Sequence, residues 1–445
     1  MEVHTSLRYS CFLRFLKIDQ YWGSMRLFVA GIFIFCLFSF KVEIIGDVRI
    51  DDLLVVILSV IAFWFFIVRK KGRVQDFSTA PILWFLLFFI LNIFSSIYNA
   101  VIGRVDLIQG LLFSFRHFEY FLFVFLGYML SYYRFNFSFW LKLYIVFALV
   151  IIPLQSYGLV PVVSGFSPDR AIANTGGPWE MAAVAAFLLF YFLEYRYFYL
   201  VFFSFVILIS TESRVTLAAV LLSSWLNLSR SLSWRVLTAI FLTGSLAIII
   251  GVVAYWALPS DFLPTLSSER NVINRVITFF SYETFASVVD TVNSASVVMT
   301  SEEFSMKTIS EKLGVPLESF GGDPSAIVRF TNWAILLKSL FLSADSLLFG
   351  LGPSFAGKAV DGGFVRLLVE TGFLGLTLYI AFIASLLFSA RSRLVFNYFL
   401  VLVVSALLID MFTTYKAMFL LWVFYGRDLS WKGARVVGAS RPPSG

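Results

Sequence analysis

The chain has 445 residues, of which 60% are hydrophobic, 19% aromatic and 14% charged, and its formal net charge is +7. A soluble protein of this length could not bury so much apolar surface, so lipid must be the solvent for most of the chain. A membrane protein carries its excess of Lys and Arg at the cytoplasmic face, so the charge alone does not indicate nucleic-acid binding. Cys11 and Cys36 lie in the N-terminal arm and the first apolar segment, and they predict no structural disulfide.

Apolar segments of roughly 20 residues, or fewer where polar flanks reach the interface, predict about twelve membrane-spanning helices. The predicted spans are 27–40, 53–68, 81–98, 107–130, 139–153, 181–192, 198–209, 215–228, 236–258, 364–388, 394–409 and 411–424. The predicted fold class is therefore an all-α polytopic membrane protein. No span is visibly interrupted, and no internal repeat divides the chain into matching halves.

Five regions follow from the hydropathy pattern: an arm (1–26), nine spans (27–258), a polar insert (259–363), three spans (364–425) and a tail (426–445). The arm between Ser10 and Trp22 mixes Phe and Leu with Arg and Lys, which predicts an amphipathic helix at the membrane interface. The tail from Arg427 onward ends in Arg-Pro-Pro-Ser-Gly, which predicts disorder.

Loop charges predict the orientation of the chain. Basic residues cluster in the arm, the even-numbered loops and the tail: Arg8, Arg14, Lys17, Arg26, Arg69, Lys70, Lys71, Arg73, Arg134, Arg196, Arg230, Arg235, Arg391, Arg393, Arg427, Lys432 and Arg435. The positive-inside rule then makes both termini cytoplasmic. The polar insert, the segment 156–180 and the turn 210–214 face outward in this topology.

The polar insert contrasts with the rest of the chain and contains arginines that could hold an anionic head group at the membrane surface. Arg270 and Arg275 begin a segment with apolar residues at helical spacing, which predicts an amphipathic helix on the outer leaflet. At least one of these two arginines is better explained as part of a solvated charged face. Arg329 and Trp333 lie four residues apart and share a helix face, which suits a sugar phosphate or equally a packing contact.

Two shorter outward segments also carry arginines. Gly176-Gly177-Pro178 predicts a helix start whose backbone N–H groups favour anions, with Arg170 nearby. The alternative is a capped helix with a solvated Arg170, and this explanation is the simpler one for the segment alone. Arg214 opens an apolar helix, where the helix dipole disfavours a cation, so Glu212 or a bound phosphate should compensate its charge.

The last outward segment returns the chain to the membrane. Gly350-Leu351-Gly352 allows a tight approach, Lys358 and Asp361 follow, and a new span begins with Arg366 and Glu370 at i and i+4. Charges within a span are costly and are by default functional, although a mutual salt bridge would also let both residues enter. The position of Arg366 at a helix N-terminus, against the dipole, favours the functional interpretation.

Further polar groups lie within or beside the spans. Arg116-His117 with Glu119 could form a proton relay, but an internal ion pair is the simpler interpretation. The pair Asp51-Asp52 is explained as the polar edge of a span start. No His/Cys/carboxylate group with metal-ligand spacing occurs in the outward loops, so the sequence predicts no metal and no cofactor.

The order of six motifs along the chain resembles that in the family of O-antigen polymerases and O-antigen ligases. The motifs are the Gly176–Pro178 turn, Ser213-Arg214, the long insert, Arg329-x-x-x-Trp333, Gly350-x-Gly352 and Glu370-x-Gly372-x-x-Gly375. The ligases of this family typically carry a histidine in the distal part of the insert, whereas this chain has only His4 and His117. Asp361-Gly-Gly occupies that stretch, which favours the polymerase or a related exopolysaccharide polymerase.

The resemblance implies a GT-C-like membrane glycosyltransferase in the bacterial inner membrane, with a large periplasmic loop containing short amphipathic helices. The substrates would be a polyprenyl-pyrophosphate-linked donor and acceptor in the membrane lipid, with a chain-length regulator protein as a candidate partner and no nucleic acid. Of the proposed site, Arg214, Arg329 and Arg366 would stabilise the departing pyrophosphate. Arg170, Arg270, Arg275, Trp333 and Lys358 would bind substrate, and Asp361 or Glu370 would accept the hydroxyl proton.

Three alternatives remain open: a ligase acting on lipid A core, a lipid-linked oligosaccharide flippase or other transporter, and a non-enzymatic scaffold. The off-centre insert and the absence of visibly broken spans argue against the transporter. A scaffold predicts that replacing Arg214 or Arg329 has no effect.

Overall fold

The structure is a computed structural model that describes residues 26–40, 43–45, 48–49, 79–161, 170–229, 286–287, 289–290, 297–306, 324–357, 361–390 and 392–436. The predicted spans 53–68 and 236–258, the amphipathic arm, and the predicted helix containing Arg270 and Arg275 lie outside these residues.

The described residues form apolar helices joined by short turns. The helices are α1 (Arg26–Phe38), α2 (Thr79–Val101), α3 (Leu107–Tyr132), α4 (Phe137–Ser156), α5 (Pro178–Glu194), α6 (Phe198–Ser210), α7 (Arg214–Ser229), α8 (Ser301–Met306), α9 (Pro324–Leu340), α10 (Ala344–Phe349), α11 (Gly363–Ser389), α12 (Arg393–Ser405) and α13 (Tyr415–Val436). A short antiparallel hairpin of β1 (Glu43–Ile45) and β2 (Val48–Arg49) accompanies the helices, and the predicted all-α class is confirmed.

Four of the described helices, α2, α3, α4 and α11, are long and apolar enough to cross a membrane. Four shorter apolar helices, α1, α6, α7 and α12, accompany them. The chain is therefore a helical protein with the apolar elements of a membrane protein. The predicted number of about twelve spans stays a prediction, since it depends partly on segments outside the described residues.

The main core forms where α3 and α13 pack against each other at close range. A Cβ atom on Gly127 would lie 1.8 Å from the carbonyl oxygen of Val423, and one on Gly426 would lie 1.9 Å from that of Val124. Glycine at these two positions lets the helix backbones touch, as is common between membrane helices. The contact buries α13, while α1, α4, α5 and α11 complete the core around it.

The prediction that the tail is disordered from Arg427 onward was wrong for its first part, because α13 continues to Val436. Arg427 and Asp428 are 5% and 6% exposed. These two charged residues lower the hydropathy of the sequence after Phe424, which predicted an end of the helix there. In the structure they are buried against other helices, and the helix continues.

The described part of the polar insert folds back onto the bundle around a second, smaller core. Ile335 of α9 and Val298 belong to this core together with Val105, Leu351 and Val369. The backbone N–H of Ser301 also donates to the carbonyl of Arg104, 3.0 Å away. The insert thus places α9 and α10 beside α11.

Helix α11 is broken at Gly372, where φ is +67°. The break frees carbonyl groups, and the turn at Gly350 and Gly352 fills the gap. Leu351 N donates to Val369 O (2.7 Å), and Gly352 N and Ser95 Oγ donate to Glu370 O (3.2 and 3.1 Å). The expectation that no span is broken was therefore wrong. The absence of broken spans can no longer be used as an argument against a transporter.

The contacts between helices define two ends of the bundle. The end at which α11 begins, here called the Arg366 end, also holds the starts of α5, α7 and α13 and the last residues of α1. The opposite end, here called the Arg427 end, holds the last turn of α5 and the start of α12. The segments predicted to face outward that the structure describes all lie at the Arg366 end.

Candidate active site

Arg366 lies at the centre of a buried charged cluster in the first turn of α11 and is 5% exposed. Its Nε donates to Glu370 Oε1 (3.1 Å), its Nη1 to Asp410 Oδ2 (2.7 Å) and its Nη2 to the carbonyl of Gly357 (2.9 Å). The i,i+4 spacing puts Glu370 directly below Arg366 on the helix, whereas Asp410 comes from the turn before α13. One guanidinium therefore faces two carboxylates.

Asp410 was not among the predicted site residues, because nothing in its apolar sequence context indicates a partner. Its Oδ2 also accepts a hydrogen bond from Thr413 Oγ1 at 2.6 Å. Its Oδ1 is buried and accepts no hydrogen bond within the part of the chain that the structure describes. A buried carboxylate oxygen without a donor is costly and is more common at functional sites than elsewhere.

His117 of α3 packs against α2 and α11. The centroid of its ring lies 5.4 Å from that of Phe88 and 5.9 Å from that of Tyr379. No local sequence pattern connects His117 with Arg366, since the two lie on different helices. The two roles expected for His117, in a proton relay or in an internal ion pair, stay predictions.

Arg329 and Trp333 form a second group on α9. Arg329 donates to Asp361 Oδ2 from both Nη2 (2.8 Å) and Nε (3.1 Å), and Trp333 Nε1 donates to the carbonyl of Asp361. The side chains of Arg329 and Trp333 share a helix face, as their spacing predicts, and both donate hydrogen bonds to Asp361. The Asp361 side chain is 45% exposed, so this ion pair is open to exchange.

The two groups are joined by one short segment of backbone. Arg366 binds the segment at Gly357, and Arg329 binds it at Asp361. Gly362, with φ +94°, packs so closely on the Trp333 ring that a Cβ atom there would lie 2.6 Å from it. Arg329 and Trp333 thus contact Asp361, Arg366 contacts Gly357 four residues earlier, and Glu370 pairs with Arg366.

Arg170 is held at the same end of the bundle by the turn between α6 and α7. Its Nε and Nη2 donate to the carbonyl of Thr211 (3.2 and 3.1 Å), and its Nε lies 3.9 Å from Glu212 Oε2. Glu212 has a positive φ of 54°, so the turn is tight. Glu212 or a bound phosphate was expected to compensate Arg214, which stays a prediction, and the structure places Glu212 beside Arg170.

Arg214 is placed by the packing of α7 on α12, where Ser223 Oγ donates to the carbonyl of Asn397 (3.2 Å). The two helices run in opposite directions. Arg214 lies nine residues before Ser223, and Ala406 lies nine residues after Asn397. At a rise of about 1.5 Å per residue, Arg214 lies near the level of Ala406. Because the carbonyl of Ala406 accepts from Phe364 N, that level is also where α11 begins.

The helix start at Gly176-Gly177-Pro178 is confirmed, because α5 begins at Pro178. One N–H group at this helix start is already occupied, however, because the N–H of Gly176 donates to Glu180 Oε2 at 2.6 Å. The helix start is therefore a weaker candidate for binding an anion. Glu180 Oε1 accepts from the N–H of Lys416, whose Nζ donates to the carbonyls at the end of α1. This buried group fastens α1, α5 and α13 together.

Several predicted site residues cannot be placed, because Arg270, Arg275 and Lys358 lie outside the described residues. Among the described residues there is no group of three or more His, Cys, Asp or Glu side chains that could hold a metal ion. The charged side chains that the structure describes at this site are arginines and carboxylates. An anion arriving there would compete with Asp361 for Arg329, and with Glu370 and Asp410 for Arg366.

No protein-family model matches the chain, and no curated protein shows a significant match to it.

Proposed function

We propose that the chain is a polytopic membrane glycosyltransferase of the O-antigen polymerase type, with about twelve spans and a large periplasmic loop. It would join polyprenyl-pyrophosphate-linked oligosaccharide repeats, or repeats of a related exopolysaccharide, at the periplasmic face of a bacterial inner membrane. The observation that carries this proposal is that Arg329 and Arg366 hold the two ends of one short segment, at Asp361 and Gly357. Two guanidinium groups supported in this way suit a ligand with two linked phosphates.

In the proposed reaction the acceptor hydroxyl oxygen attacks the anomeric carbon of the donor sugar. A new C–O bond forms, and the bond from that carbon to the pyrophosphate oxygen breaks. The leaving pyrophosphate gains negative charge, which Arg329 and Arg366 would stabilise, with Arg214 as a third cation at the same level. The hydroxyl proton passes to a carboxylate.

The ion pairs of the site would link substrate binding to proton transfer. When Arg329 binds the pyrophosphate, Asp361 loses its ion-pair partner and accepts a proton more readily. Glu370 would do the same when Arg366 binds the pyrophosphate. The extra carboxylate of Asp410 would then keep Arg366 in place. The carboxylates thus hold the arginines before substrate arrives and are released by it.

The test is an assay with purified protein in liposomes and lipid-linked repeat units as the sole substrate. A polymerase produces a ladder of longer glycans, and an unchanged length distribution would refute the proposal. Asp361→Asn and Glu370→Gln then identify the base, because loss of the true base should slow the reaction by roughly 100-fold or more. Supplying lipid A core as a second acceptor identifies a ligase, which would extend the core and not the repeat.

A transporter of lipid-linked oligosaccharides is a second candidate, and the break of α11 at Gly372 favours it. Broken helices near the middle of the membrane often form the substrate sites of transporters. In this chain, however, the freed carbonyls of Val369 and Glu370 are already bonded by the Gly350–Gly352 turn and by Ser95. A transporter would move fluorescent lipid-linked repeats across the liposome membrane without changing their length.

A further inference from the structure

An apolar groove runs along the exposed face of α9, beside the Arg329–Asp361 pair. It has a volume of about 540 Å³ and is lined by Phe330, Trp333, Ala334, Leu337, Lys338 and Phe341, with Val297 on the opposite side. The positions on α9 follow the spacing of one helix face. A groove of this size holds a ligand of drug-like dimensions, or one part of a longer chain.

The groove connects two chemically different surfaces. At its upper end Trp333 donates to the carbonyl of Asp361, the residue that binds Arg329. At its lower end Phe341 is 60% exposed, and the chain then turns into α10. The ring of Phe349 in α10 packs on Phe94 of α2 at 5.3 Å, on a helix apolar enough to span a membrane.

The charges along the groove fit an anionic amphiphile. Among the described residues, the lining side chains include no carboxylate, and the single cation, Lys338, contributes an aliphatic stem. Arg329 lies one residue before the first lining residue, Phe330, at the upper end of the groove. An occupant with an anionic head and an apolar tail could therefore place its head beside Arg329 and its tail against the aromatic and aliphatic lining.

We propose that the α9 groove binds the polyprenyl chain of the lipid-linked substrate in its part nearest the phosphates. This inference rests on the proposed function and adds the path of the lipid. The isoprenoid chain leaves the Arg329–Asp361 pair, passes Trp333 and Leu337, and reaches the membrane-facing surface of α2 beyond Phe341. The chain would bind there by burial of apolar surface.

The experiment uses the full-length protein in phosphatidylcholine nanodiscs and a long-chain polyprenyl diphosphate with a photoreactive group in its first isoprene units. Mass spectrometry of the labelled protein should place the probe on α9, between Phe330 and Phe341. Unlabelled polyprenyl diphosphate should abolish this labelling, and a molar excess of phosphatidylglycerol should not. Labelling elsewhere, or equal displacement by the phospholipid, would overturn the proposal.

A matched pair of variants tests the groove itself. Leu337→Trp fills the groove and should weaken α9 labelling by about fivefold or more. Leu342→Trp adds the same side chain at an exposed position outside the groove and should leave labelling unchanged. Equal labelling of the wild type and both variants would rule the groove out, and thermal unfolding verifies that each variant is folded.

The outcome for the lipid path is separate from the outcome for the proposed function, because labelling requires no turnover. Labelled α9 without glycan extension would retain the lipid site and refute the polymerase. Glycan extension with labelling elsewhere would retain the polymerase and refute the site.

Discussion

Arg366 and Arg427 are both buried beside carboxylates, one at each end of the bundle, but their carboxylates do different things. At the Arg427 end Asp428 Oδ2 accepts from the N–H of Ser392 (3.1 Å), and Glu194 Oε2 accepts from that of Leu394 (3.0 Å). These carboxylates cap the start of α12, and Asp428 Oδ1 also lies 3.8 Å from Arg427 Nη2. The Arg427 guanidinium lies over the Phe424 ring at 4.5 Å.

At the Arg366 end the carboxylates bind the guanidinium itself, with distances of 3.1 Å to Glu370 and 2.7 Å to Asp410. A carboxylate that caps a helix must stay in place for the helix to start correctly. A carboxylate that pairs with an arginine can give up that guanidinium to another anion of suitable shape, even where, as at Asp410, it keeps a further hydrogen bond. The comparison supports the proposal that function lies at the Arg366 end, and the hydrogen bonds at the Arg427 end indicate helix anchoring.

The largest expected difference between the ends is in the rate of glycan polymerisation. Arg366→Lys should reduce the rate by about 100-fold or more, because an ammonium group cannot replace the forked contacts of a guanidinium to a phosphate in the transition state. Arg427→Lys should change the rate per folded molecule by less than about threefold. Initial rates in liposomes measure both, and equal losses would show that the two ends do not differ in function.

The carboxylates provide a second matched pair. Asp410→Asn should reduce the rate by about tenfold, because Arg366 loses one of the two charges that position it. Asp428→Asn should instead cost about 1 kcal/mol of stability through the weakened cap and leave the rate unchanged. The rate assay and thermal unfolding together measure these effects; a rate loss in Asp428→Asn alone would reverse the assignment of the ends.

Two tightly packed glycines test whether the broken helix matters for activity. A Cβ atom at Gly372 would lie 2.3 Å from the carbonyl oxygen of Leu348, and one at Gly426 would lie 1.9 Å from that of Val124. Gly372→Ala and Gly426→Ala should each destabilise the protein by roughly 1–3 kcal/mol. Only Gly372→Ala should also lower the rate per folded molecule, by about fivefold, because it displaces the Gly350 turn and with it α11. Unchanged activity in Gly372→Ala would separate the break from the site.

The smallest effect concerns a surface ion pair at the Arg366 end, in which Arg104 Nη2 lies 3.1 Å from Asp345 Oδ2. A hydrogen bond from Ser343 and the charge of Arg104 lower the pKa of Asp345. A lowered pKa stabilises the folded protein above the ordinary carboxyl value, and this stability is lost as the pH falls through the folded value. The stability difference between wild type and Asp345→Asn should therefore be below about 1 kcal/mol at neutral pH. It should begin to fall near about pH 4 and should vanish only once the pH is below the lowered pKa of the folded state. A difference that persists in acid would contradict this explanation.

Hydropathy predicted most of the described helices, since long apolar segments have few other stable states in lipid. The predicted span 107–130 corresponds to α3 and the span 139–153 to α4, with ends that differ by three residues or fewer. The helix start at Pro178 followed from proline at the first turn. Local sequence thus determined these elements.

Contacts between distant residues could not be predicted in this way. Nothing in the local sequence connects Arg366 with Asp410 or Arg329 with Asp361, because these pairs form only when helices pack. The tail prediction failed for the same reason: Arg427 and Asp428 look like the end of a span until their partners on α5 and α12 are known. The proposed site residues were therefore predictable as types, and their pairing was not.

The most direct test of the account is an experimental structure of the protein in nanodiscs with a bound polyprenyl diphosphate. The account predicts the diphosphate between Arg329 and Arg366, with Arg214 facing the same pocket and the Arg329–Asp361 distance lengthened from 2.8 Å. A diphosphate bound away from both arginines, with their ion pairs intact, would contradict it.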